Sequence, residues 1–412
     1  MPRARRISRF LAAAIGVAAA VSLCLAAAGC GSSEQGGHPD QKRTLELAQS
    51  RFSAAAQALL AGDRAAFDAS LSVDEGSAAG VRESLDEVFD TLSSLPWRTF
   101  SFAVTPADPA KGMFRVEGSG QLGATGPPDR LAVVRYLKLA GADGAAVLAD
   151  ETPQNVRRRY LMALHDPVAL QRPGLIVLAD RRARERAGEV LAAAIRGRQR
   201  LADLGVGTRE TVLVTVYGSA EDVRDALGTD AATVRLRFFS HPSLRAADED
   251  WSIYDVAVMG PWLRDIGSAL DDTVTHELAH AYTVRWFDGI KDPSSILVEG
   301  IAEAAEGAPA SQPLRDEVAS GNQLWPLPES FSVADVWDGA EMEDVGLGYD
   351  LGASLVGYVV SRWGTGKLRQ FVRAVAAAEP TEAGMDEALD GSLGVTWRRF
   401  YTGWRHYVLG GS

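Results

Sequence analysis

The sequence predicts an α+β protein in two parts, and three observations carry that prediction. Apolar residues recur at helical spacing from about Thr44, and the period shortens to two between residues 99 and 150. Beyond residue 158, continuous apolar runs alternate with helical pattern until Pro261, after which the pattern is helical throughout.

The first helix is read from Leu45, Ala48, Phe52, Ala56, Leu59 and Leu60, which fall at helical spacing, and Gly62-Asp63 closes it and starts another. Strands follow in TFSFAV (99–104), MFRVEGSGQL (113–122), LAVVRYLKLAG (131–141) and AAVLAD (145–150), where apolar and polar residues alternate. Helices ahead of an antiparallel sheet define a module over 43–152. Its phrase ALLAGDRAAFDASL followed by long strands resembles the nuclear-transport-factor-like (NTF2-like) superfamily, which implies helices packed on a curved sheet. No acid or histidine pair stands out in it, so it is expected to be a non-catalytic accessory domain.

The second part, 158–412, opens with a buried strand in GLIVLAD (174–180) and an Arg/Ala-rich helix from about Arg182 to Leu204. TVLVTVYGSAEDVRDALG reads strand, turn, helix, with Ser219 as the cap and Glu221 and Asp222 in the first turn. VRLRFF and WSIYDVAVM supply two more strands, and the helices run to WRRFYTGWRHYVLGG at the end of the chain. No internal repeat is present.

Ahead of both parts, residues 1–29 read as an export signal: four arginines, then an apolar run from Phe10 too short for a membrane span, then small residues. Ala27-Ala28-Gly29-Cys30 resembles a bacterial lipobox, which implies acylation of Cys30 and a membrane anchor facing outward; leucine usually stands where Ala27 does. Arg5-Arg6 leaves twin-arginine export open. Residues 30–42, CGSSEQGGHPDQK, suit a flexible tether. Cys24 and Cys30 are the only cysteines, so the exported part has no disulfide partner for Cys30. Without residues 1–29 the chain carries 38 basic and 54 acidic side chains, a net charge of −16. That balance argues against nucleic acid as a partner. The sequence says nothing of oligomeric state.

The stretch THELAH (275–280) carries the chemistry. His276 and His280 are four apart and share one helical face, where two imidazoles can bind one zinc ion, and Glu277 beside them is placed to act as general base toward an activated water. Asp271 and Asp272 suit the first turn of that helix, Leu270, Val274, Leu278 and Ala281 its apolar stripe, and Gly289 its stop. A catalytic zinc needs a third protein ligand. Metzincin spacing would require glycine and histidine where Thr283 and Trp286 stand. Glu299 instead follows His280 after 18 intervening residues, in a segment with its own start at Pro293-Ser294-Ser295 and its own stop at Gly307.

His-Glu-x-x-His, 18 residues, then Glu inside VEGIAE resembles the gluzincin metallopeptidases, including M1 aminopeptidases and the wider peptidase-MA-like families. The resemblance implies one zinc ion per chain held by His276, His280 and Glu299, with Glu277 activating water. It also implies that Glu303, one turn beyond Glu299, orients the first histidine. Read from the residues, an acidic pair such as Glu303 and Glu306 otherwise forms a solvated helix face, and Glu306 is expected there. GYDLGASLVGYVVSRWGTGKL resembles the M1-like helix that begins Tyr-x-x-Gly, so Tyr349 is expected to stabilise an oxyanion. The resemblance covers about residues 160 to 412.

No Gly-x-Met-Glu-Asn segment for a free amino terminus is found. If WSIYDVAVM is the edge strand beside the site, a peptide could add to it by strand pairing, which suits internal cleavage, and the choice between endo- and exopeptidase stays open. His38, His165, His241 and His406 stand apart and are expected to be structural or exposed. The expected function is an exported, lipid-anchored zinc metallopeptidase with a peptide or protein substrate. Two alternatives are a binding protein on a metallopeptidase scaffold and a zinc hydrolase of a non-peptide amide or ester.

Overall fold

The computed structural model describes residues 39–71, 79–108, 113–122, 130–140, 147–148, 164, 166–208, 211–219, 221–222, 238–241, 254–259, 269–290, 293–307, 310–321, 324, 342–379 and 381–410. The expected export signal, Cys30, the tether up to residue 38, His38 and His165 lie outside the described residues.

The chain is α+β, with helices outweighing two small sheets. Helix α1 (Pro39–Ala61) starts five residues ahead of Thr44, because a proline at the first helical position has its φ preset and no N–H to lose. It ends at Gly62, whose φ of +67° is left-handed, and Asp63 then caps α2 (Arg64–Leu71) by accepting from the Ala66 N–H at 3.0 Å. Of the expected stripe, Ala48, Phe52, Ala56 and Leu59 are buried, while Leu60 is exposed. Helix α3 (Ala79–Ser93) leads into an antiparallel sheet, order β1-β2-β3-β4: β1 (Trp97–Asp108), β2 (Met113–Leu122), β3 (Arg130–Ala140) and β4 (Val147–Leu148). The glycines of EGSGQ make room for rings on β1. A Cβ at Gly118 would come within 2.8 Å of the Phe100 ring, and one at Gly120 would meet Trp97 and the Thr99 carbonyl. The side-chain amide of Gln49 on α1 pairs with β1 as a strand would: it donates to the Phe102 carbonyl at 2.8 Å and accepts from the Val104 N–H at 2.9 Å.

The second sheet has the order β5-β6-β7-β9-β8: β5 (Val168–Arg172), β6 (Leu175–Ala179), β7 (Val212–Tyr217), β8 (Phe238–His241) and β9 (Tyr254–Met259). β6, β7 and β9 run parallel, and both edge strands, β5 and β8, are antiparallel to their neighbours. This overturns the expectation for WSIYDVAVM. Its strand β9 is hydrogen-bonded on both sides, and β8 is the edge. Alternation along a strand tells which face is buried; it does not tell which strand lies outermost.

Every residue of β6 and β7 is buried. Leu175, Val177, Ala179, Val212, Val214 and Val216 point into the core of the helical part. Ile176, Leu178, Leu213 and Tyr217, on the opposite face, belong to the core of α1–α3 and β1–β2. The continuous apolar runs in the sequence follow from this covering of both faces. The two predicted modules therefore share the sheet.

Helix α4 (Arg184–Asp203) crosses β6 and also packs against α5 (Leu270–Thr283), the helix of THELAH. The two helices approach at Gly197, where a Cβ would come within 2.8 Å of Thr275 Oγ1. Arg196 forks onto Asp271 with two contacts of 2.6 Å, and Arg200 reaches Asp272 at 2.7 Å. The first-turn acids of α5 thus hold it to α4 in addition to facing its N-terminal dipole. Then come α6 (Ser295–Glu306), α7 (Gln312–Ser320), α8 (Met342–Trp363), α9 (Leu368–Ala376), α10 (Glu382–Leu393) and α11 (Trp397–Val408). Among the described residues no helix is long and apolar enough to cross a membrane.

Candidate metal centre

Three helices supply the site. Helix α5 buries Leu270, Val274, Leu278 and Ala281 as the stripe requires, and the same helix buries Thr275, His276 and Glu277. After a 3₁₀ turn at Val284–Phe287, Gly289 reverses the chain with φ +81°, and α6 returns antiparallel to α5 until Gly307, also at φ +81°. That return brings Glu299 back to the two histidines. Helix α8 crosses α6 with almost no space between backbones: a Cβ on Gly352 would run into the Ile296 carbonyl and lie 2.7 Å from the Gly300 Cα. Gly300 follows Glu299 and Gly352 lies one turn after Tyr349, so the tightest point of the crossing sits beside both.

Glu299 Oε2 lies 3.1 Å from His276 Nε2 and 3.5 Å from His280 Nε2. The imidazole rings are 4.9 Å apart, centre to centre, at 79°. One donor atom from each of His276, His280 and Glu299 falls within 4.8 Å of the others. Zinc bound tetrahedrally at 2.0–2.2 Å sets neighbouring ligand atoms about 3.3 Å apart, and the distances from Glu299 to the two histidines bracket that edge length. Two imidazole nitrogens and one carboxylate oxygen are a donor set of the kind that zinc takes in hydrolytic sites, so the residues fit the metal.

The electrostatics follow from burial. Desolvation works against a charge on His276, yet hydrogen bonds to Glu299 and Glu306 and the nearby Glu277 outweigh it, leaving its pKa well above the usual histidine value. Burial by itself would raise the Glu299 pKa, but His280 and His276 draw it far below the carboxylate range. Glu303 goes the other way: burial and then the neighbouring Glu306 push it up to about 7, against the pull of His276. Tyr349 is half-buried, seven residues into α8 rather than at its start. Its phenol is raised well above the usual tyrosine value by burial first, then by Glu299, Glu303 and Glu277, and so stays protonated as a hydrogen-bond donor. Next to it, burial raises the Asp350 carboxyl, partly offset by a hydrogen bond from Ser311.

His276, Glu277, His280, Glu299, Glu303 and Tyr349 are all brought into this neighbourhood. The structure departs from the sequence reading at two carboxylates. Glu303 Oε1 is 3.8 Å from His276 Nδ1, beyond hydrogen-bonding distance, whereas Glu306, expected on a solvated face, approaches the same nitrogen at 2.9 Å and is half-buried. The signal was present in the sequence, because Glu299, Glu303 and Glu306 stand at i, i+4 and i+7 and share one helical face. His241 lies on the edge strand β8, and His406 is exposed on α11. No protein-family model, curated protein or solved structure matches the chain.

Proposed function

We propose that this chain is an exported, lipid-anchored zinc metallopeptidase of the gluzincin type, with an NTF2-like domain ahead of the peptidase domain. The observation that carries the reading is the convergence of His276, His280 and Glu299 donor atoms at zinc-ligand spacing, with Glu277 buried on the same helix. His276, His280 and Glu299 would hold the zinc ion, which would supply Lewis acidity toward a carbonyl and a lowered pKa for a water molecule. Glu277 takes the proton from the water as it attacks and delivers it to the leaving amine, one side chain serving as base and then as acid. Tyr349 donates its O–H to the carbonyl oxygen as negative charge develops there, an interaction stronger in the transition state than in the bound substrate. The two imidazoles and Glu299 stay fixed throughout, held by α5 and α6.

The test is zinc content together with cleavage of casein or a peptide library, for the wild type and for Glu277→Gln. About one zinc per chain in both proteins is expected, with hydrolysis slowed by about 10²–10⁴-fold in the variant. Zinc with no peptide turned over by the wild type would move the reading to a non-peptide amide or ester. A wild-type chain that takes no zinc would leave a binding protein on this scaffold.

A further inference from the structure

We infer that Glu306 is the positioning residue that fixes the ring and tautomer of His276, and that Glu303 does not have this role. The inference rests on the zinc reading above. An imidazole that binds a metal through Nε2 must carry its remaining proton on Nδ1, and the acceptor of that proton sets the plane of the ring. On His276 the two nitrogens face different acids: Nε2 is 3.1 Å from Glu299, and Nδ1 is 2.9 Å from Glu306. Glu303 is the more buried of the two remaining carboxylates, with 15% of its side chain exposed against 23% for Glu306, yet it stops 3.8 Å from Nδ1. Burial alone would choose Glu303, but hydrogen-bond distance chooses Glu306.

Glu299, Glu303 and Glu306 share one face of α6, and Glu306, one turn beyond Glu303, is the one whose carboxylate comes to 2.9 Å from Nδ1. Glu299 and Glu306 then grip opposite edges of one ring from the same helix. The histidine on the neighbouring helix α5 is thereby oriented by α6 at both nitrogens.

The experiment measures zinc affinity of the full chain by competition with a chromophoric chelator, for the wild type, Glu306→Ala, Glu306→Gln and Glu303→Ala. A cobalt(II) absorption spectrum of each reports ligand geometry independently of turnover. Loss of an orienting carboxylate typically weakens metal binding 10–100-fold. Glu306→Ala is expected to show a loss of that size with an altered cobalt spectrum, Glu306→Gln a smaller loss because it keeps an acceptor oxygen, and Glu303→Ala less than about a threefold change. A larger loss in Glu303→Ala, or wild-type affinity in Glu306→Ala, overturns the assignment. Should Glu306→Ala fail to fold, Glu306→Gln decides: unchanged affinity and spectrum in it sink the inference. A wild-type chain that binds no zinc ends both this inference and the metallopeptidase reading, whereas zinc held equally by wild type and variant ends this one alone.

Discussion

The cores on the two faces of the mixed sheet are built on opposite terms. On one face, α1–α3 and β1–β2 bury leucines, alanines, valines and a set of packed aromatic rings, Phe52 on Phe102 and Phe67 on Phe89 among them. On the other face, the helices bury a larger apolar core and, inside it, His276, Glu277 and Glu299. A charge removed from water costs several kcal/mol unless it is matched. At the end of β6 the matching is local, since buried Asp180 is forked by Arg182 at 2.9 and 3.2 Å, and Arg182 also reaches Asp222. At the histidines the arrangement is different: Glu299, Glu303 and Glu306 are gathered around one imidazole, a crowding of like charge that packing never requires. One core holds the fold. The other holds the fold and a place for a cation.

The largest way to break this contrast is to open the apolar side. Phe67→Ala, at a site with no exposure, is expected to destabilise the protein by about 3–5 kcal/mol in denaturant unfolding, while the zinc bound per chain stays the same. Because the sheet is shared, a single transition should shift; two separate transitions would show that the cores are independent. Next in size is the α6–α8 crossing. Gly352→Ala places a methyl against the Ile296 carbonyl, and overpacking of this kind costs about 1–3 kcal/mol. Unlike Phe67→Ala, it should also weaken zinc binding, read by chelator competition, since the clash lies beside Glu299.

Protonation separates the two cores further. His276 has a raised pKa in the metal-free fold, so its contribution to stability is complete below the unfolded histidine value near 6.5 and is lost as pH rises through the folded value. Zinc requires the neutral ring, so metal affinity runs the other way and falls as the solution is made more acidic. Thermal unfolding of chelator-treated and zinc-loaded protein across about pH 6 to 9 should therefore give slopes of opposite sign from this group. Parallel slopes would remove His276 from the metal. The smallest effect is expected at Arg196, an exposed ion-pair partner of Asp271: Arg196→Ala should cost less than about 1 kcal/mol and leave zinc affinity unchanged.

How much of this was legible in the sequence depended on whether the signal was local. Gly62-Asp63, Gly289, Gly307 and the stripe of α5 could be read directly, because a left-handed turn or a buried helical face leaves its mark within a few residues. His276, His280 and Glu299 were legible because turn geometry turns spacing into proximity. Strand order was not, and β9 proved to be interior. That Glu306 rather than Glu303 comes within hydrogen-bonding distance of His276 Nδ1 was legible only in part, since the i, i+4, i+7 spacing puts both on one face without saying which reaches the nitrogen. Least legible was the sharing of the sheet: the runs in β6 and β7 signalled burial on both sides without naming what covers the second face.

That double covering bears on the motions of the chain. β6 and β7 have neighbours in the sheet on both sides and packed side chains above and below, so their amides reach solvent only when both cores open together. In hydrogen–deuterium exchange, Leu175–Ala179 and Val212–Tyr217 should be the last segments to take up label, exchanging at the rate of global unfolding and marking the point at which the two halves of the molecule become a single cooperative unit.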